Sequence, residues 1–210
     1  MIKALLLIFE PVAAWNRIAL ARRSLFFMVF LYLLPMMLIV AVAEAFGLVE
    51  WGREQHLLGG IHLFPIREAV ALECTEMVLM GLAIVVCAYL VKSFGETFHL
   101  RNTYQQAFTV VIYGLSPLFL FRLLDVTPAL NPWIVWAVGV FFSVRTLYIG
   151  VPRVMEPDPP HALGLFFMSG LVVTLATAGE RLISTGYLSG RFRPVSDVLY
   201  QILMKYHLLK

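Results

Sequence analysis

The chain has 210 residues, 60% of them hydrophobic and 14% charged, with a formal net charge of +3 and a mean hydropathy of +0.84. Soluble domains carry about 25% charged residues, so this composition excludes an ordinary soluble domain. Its Lys and Arg residues are scattered among the flanks of apolar blocks rather than gathered on one patch, which excludes a nucleic-acid partner. Five blocks of about 20 apolar residues match the thickness of a hydrocarbon core. The expected fold is all-α: a polytopic membrane protein, a bundle of five transmembrane helices with amphipathic interfacial helices at both termini.

Residues 1–23 form the N-terminal segment, in which Ile2, Leu5, Leu6, Phe9, Val12, Trp15 and Ile18 recur at helical spacing. This pattern predicts a helix lying on the membrane surface. No signal-peptide cleavage is expected, because the opening apolar run stops at Glu10-Pro11. Residues 24–184 are read as the five-helix domain, with spans at about 25–42, 70–91, 105–124, 132–151 and 161–183. Pro35 is expected to kink the first span.

A polar connection from Gly47 to Ile66 carries His56 and His62. Pro65 then opens the second helix, whose first turns hold Glu68, Glu73 and Glu76. Glu73 and Glu76 share a face. Acidic residues at this position favour the helix dipole and are expected to face water; the competing reading is an ion or proton site at the membrane edge.

Thr103-x-x-Gln106 predicts a capping box for helix three, and Pro117 a break flanked by Tyr113 and Ser116. Arg122 and Asp125, three residues apart, are expected to pair with each other. Asn131 and Pro132 read as the N-cap and first position of helix four, with Trp133 and Trp136 at the interface. Arg145 is placed to snorkel, to bind a lipid phosphate, or to meet Tyr148 and the acidic loop. Gly150-Val151-Pro152 is expected to end this helix, and Asp158 to cap the next.

In helix five, Gly170, Thr174 and Ala178 form a small-residue stripe at spacings of four, a helix-packing face. Residues 185–210 read as a loop followed by an amphipathic helix from Val195 to Leu209. The Lys and Arg count on the loops favours a cytoplasmic N-terminus and an outside C-terminus, although Arg181, Arg191, Arg193, Lys205 and Lys210 oppose it.

Cys74 and Cys87 lie about 20 Å apart on one predicted helix, too far for a disulfide. The sequence has no C-x-x-C, H-E-x-x-H, Walker loop or G-x-S-x-G elbow, and no catalytic, cofactor or metal site is assigned.

The segment Tyr113-x-x-Ser116-Pro117, the Pro128 turn and Leu147-Tyr148-Ile149-Gly150-Val151-Pro152 resemble the Yip (Ypt/Rab-interacting) family of integral membrane proteins. The Phe9-Glu10-Pro11 start and Trp15 resemble that family's amphipathic opening, and the closest likeness is to small bacterial inner-membrane members. The resemblance implies five spans, a cytoplasmic N-terminus and no enzymatic activity. Eukaryotic relatives are linked to Rab GTPases through longer N-terminal regions; the short segment here argues against GTPase binding.

Two functional expectations follow. The first is a non-enzymatic scaffold or accessory subunit that packs against membrane lipid, other integral membrane proteins or a second copy. Its candidate interaction or lipid face comprises Tyr113, Pro117, Arg145, Tyr148, Gly150, Pro152, Glu156 and Asp158. The second is a small transporter or channel using Glu73, Glu76 and Arg145.

Overall fold

The computed structural model describes residues 2–55 and 60–188. Two short helices, α1 (Ile2–Phe9) and α2 (Pro11–Ala21), open the chain. Arg22 in the left-handed region (φ 37°) ends α2, and the Ser24 hydroxyl accepts from the Phe27 N–H to start the next helix. That helix comprises α3 (Leu25–Met28), a π-helical turn (Val29–Leu33) and α4 (Leu34–Glu50). The π turn lies just ahead of Pro35, whose ring cannot accept an ordinary helical register with the preceding carbonyls.

A hairpin of two three-residue strands follows, β1 (Arg53–Gln55) antiparallel to β2 (Gly60–His62), with Arg53 opposite His62. The second span is α5 (Ile66–Thr97). The third is broken into α6 (Tyr104–Gly114), α7 (Ser116–Arg122) and a 3-10 turn (Leu123–Val126). α8 (Pro132–Met155) and α9 (Pro159–Leu188) complete the bundle. The five spans Leu25–Glu50, Ile66–Thr97, Tyr104–Val126, Pro132–Met155 and Pro159–Leu188 are each long and apolar enough to cross a membrane.

The third span is the axis of the bundle: 72% of its apolar window is buried, against 28% for the fifth. Its core residues Val110, Val111, Ile112, Tyr113 and Leu118 are almost wholly buried. Several local signals stand as read. Thr103 and Gln106 make a reciprocal capping box, and the Asn131 side chain accepts from the Trp133 N–H at 2.9 Å. The Pro117 break falls between Gly114 and Ser116. There the Leu118 N–H, shifted off its helical partner, donates to the Ser143 hydroxyl at 3.2 Å.

The N-terminal helices bury one face against the bundle: Ala4, Leu7, Trp15 and Ile18 are buried while Leu5 and Phe9 stay exposed. α2 packs along α8, and α1 reaches α7. The contact that decides this is Trp15 on Gly150, where a Cβ would stand 2.4 Å from the indole ring. Gly150 therefore serves close packing rather than helix termination. α8 runs through Pro152 and stops at Glu156, which adopts the left-handed conformation (φ 48°). Asp158 starts α9 through its carbonyl, which accepts from His161 and Ala162.

The inward ridge of α9 is Leu165, Ser169, Val173, Thr177 and Glu180, which runs beside the small-residue stripe. Of that stripe, Gly170 is buried and Thr174 and Ala178 are half-buried. Gly47 has its own reason: the Val126 carbonyl oxygen lies 2.3 Å from where a Cβ would be, so α4 and the 3-10 turn meet backbone to backbone. The expected helix from Val195 to Leu209 and the side chains of His56 and His62 lie outside the described residues.

Candidate functional site

Each of four helices carries a charge within its last or first few turns at the same end of the bundle. Glu44 lies six residues before the end of α4, Glu73 and Glu76 fall within the first three turns of α5, Arg122 ends α7, and Glu180 and Arg181 sit near the end of α9. Because consecutive spans alternate in direction, those ends converge. Glu44, Glu73, Glu76, Arg122 and Glu180 are each only 5–6% exposed.

Arg122 is the hub. Its Nε donates to Glu44 Oε1 at 3.0 Å and its Nη2 to Glu44 Oε2 at 2.7 Å, a two-pronged pairing. Nη1 reaches Glu180 Oε1 at 2.8 Å, and Nη2 also reaches Glu76 Oε2 at 2.5 Å. The Ser184 hydroxyl donates to the other Glu76 oxygen. A planar, always-charged fork suits this task because it satisfies three carboxylates from one centre.

A second layer lies toward the hairpin. Arg181 Nη2 donates to Asp125 Oδ2 and, at 3.0 Å, to the Pro132 carbonyl. Arg53 Nη2 donates to the Asp125 carbonyl. Burial pushes the Arg53 guanidinium below its ordinary value, and the Asp125 carboxylate opposes the shift. Arg122 and Asp125 are thus neighbours in sequence but belong to different pairs.

This arrangement overturns the expectation that Glu73 and Glu76 face water. Both are inside, and a small cavity of about 10 Å³ lies among Glu44, Glu73, Glu76, Arg122, Met80 and Phe119. Oxygens of Glu44, Glu73 and Glu76 lie within 4.8 Å of one another, the set among the described residues able to hold a metal ion. Arg145 is elsewhere: it is exposed on α8 and donates to the Ile8 carbonyl at 3.0 Å, closing the end of α1.

The anticipated interaction face divides. Tyr113, Pro117 and Gly150 are interior, and the Tyr32 and Ser116 hydroxyls meet at 2.6 Å beside the Pro117 break. Tyr148, Pro152, Glu156 and Asp158 remain exposed. Tyr148, Pro152, Arg153 and Phe166 line a shallow groove between α8 and α9.

A profile of the Yip1 domain matches residues 5–179, which takes in α1 through most of α9. The chain belongs to the Yip1 family. The matched stretch includes every charged residue of the buried cluster except Glu180 and Arg181. No curated protein and no solved structure matches this Yip1 protein. Glu44 and Glu180 escaped the sequence reading, and Arg122 was paired with Asp125 instead, because a charge near a span end is ordinarily a solvated residue. The available signal was their recurrence at one end of alternate helices.

Proposed function

We propose that this Yip1-family protein is a non-enzymatic scaffold or accessory subunit of a membrane, packing against other integral membrane proteins. The observation that carries the reading is the outer side of α9. It is the least buried span, and a Cβ at its Gly179 would meet nothing within 4 Å. Thr174 and Ala178 beside it are small and half-buried, leaving shallow ground on which a partner helix approaches closely. Exposed Leu171, Leu175 and Leu182 flank that ground with apolar surface.

The membrane is read as a bacterial inner membrane, with a cytoplasmic N-terminus and an outside C-terminus. In support, Arg22, Arg23, Lys92, Arg101 and Arg153 lie at one end of the bundle. Arg122 and Arg181, at the other end, are neutralised by buried carboxylates and carry little weight in the charge rule.

The test is purification from native membranes in mild detergent. The reading expects a stable assembly larger than one chain, weakened by Gly179→Leu. A lone monomer with no co-purifying protein would overturn it. Vesicles made permeable to a solute by the purified chain would favour the transport reading instead.

A further inference from the structure

The four carboxylates around Arg122 are not evenly served. Glu44, Glu76 and Glu180 each accept from its guanidinium. Glu73, equally buried, accepts from no donor among the described residues; its close polar neighbour is the carboxylate of Glu44. Two carboxyl groups held against each other in a low-dielectric interior cannot both carry charge unless a cation, or a proton they share, lies between them. Glu73 also lines the cavity that Glu44, Glu76 and Arg122 share.

We propose that Glu44, Glu73 and Glu76 form a binding site for one divalent cation of the hard, oxygen-preferring class. Four carboxylates face one guanidinium, so a double positive charge offsets the excess better than a single one. The donor atoms are all carboxylate oxygens, which suit Ca²⁺, Mg²⁺ or Mn²⁺. Three oxygens within 4.8 Å of one another share a centre no more than about 2.8 Å from each, a slight closure away from the length of Ca²⁺–oxygen bonds. The cavity has room for one ion or one water, not for a hydrated ion with a full shell. Each carboxylate oxygen that accepts from Arg122 keeps a second lone pair, so Glu44 and Glu76 serve the guanidinium and the ion together.

The test uses the full chain in detergent, stripped with a chelator and titrated with Mn²⁺ while the free ion is followed by electron paramagnetic resonance. One Mn²⁺ per chain is expected, displaced by Ca²⁺. Glu73→Gln, which removes no ion pair, is expected to keep its helical signal and weaken binding at least tenfold. Glu73→Asp, which withdraws the carboxylate by one methylene, is the second variant and is expected to bind more weakly than the parent. Glu68→Gln, at the exposed start of α5, is expected to leave binding unchanged. No saturable binding up to about 1 mM, the weak end of protein calcium sites, would overturn the proposal. Equal affinity in both Glu73 variants and the parent would do the same.

Discussion

Asp125 and Arg181, 56 residues apart in the chain, pair side chain to side chain in the interior of the bundle. The pair joins the turn after the central helix to the last turns of α9, and the Pro132 carbonyl shares the same guanidinium nitrogen. The contact is made through one nitrogen: among the described residues Asp125 Oδ1 and Arg181 Nε have no partner. A double-mutant cycle with Asp125→Asn and Arg181→Gln should therefore give a coupling of about 0.5–3 kcal/mol. Thermal unfolding of the four proteins in one detergent checks it; strict additivity would show that the two ends are tied by other contacts.

Arg122 is predicted to be the most sensitive charged position. Replacing it with Met leaves the carboxylates of Glu44, Glu76 and Glu180 buried without their cation, a loss of about 3–5 kcal/mol. Arg122→Lys keeps the charge but not the fork, so an intermediate loss is expected. Melting temperatures of the two variants, ranked against the parent, decide the point.

Gly150→Ala places a methyl group against the buried Trp15 indole. Overpacking of this kind costs about 1–3 kcal/mol. The expected outcome is a red shift of Trp15 emission as α2 is pushed off α8, measured with the chain's other tryptophans replaced by Phe. In a Trp15→Ala background the same glycine substitution should cost little, because the clash partner is gone.

Ser143→Ala removes the acceptor of the Leu118 N–H in the Pro117 break. An orphaned buried donor costs about 1–3 kcal/mol. Ser169→Ala is the comparison: that hydroxyl donates to the Leu165 carbonyl of its own helix, so a smaller change is expected. Hydrogen exchange at Leu118 should rise in the first variant and not in the second.

By itself the sequence determined what depends on short-range chemistry. Runs of apolar residues set five spans, Thr103 with Gln106 and Asn131 with Pro132 set helix starts, and Pro117 set a break, because caps and proline rings act within one turn of the backbone. The tertiary structure alone decided which residues meet. A charge near a span end is written identically whether it faces water or a neighbouring helix. Only the convergence of α4, α5, α7 and α9 turned Glu44, Glu76 and Glu180 toward Arg122, separated Arg122 from Asp125, and left Glu73 facing a carboxylate. Gly150 changed meaning for the same reason, since the Trp15 ring that requires it comes from 135 residues earlier in the chain.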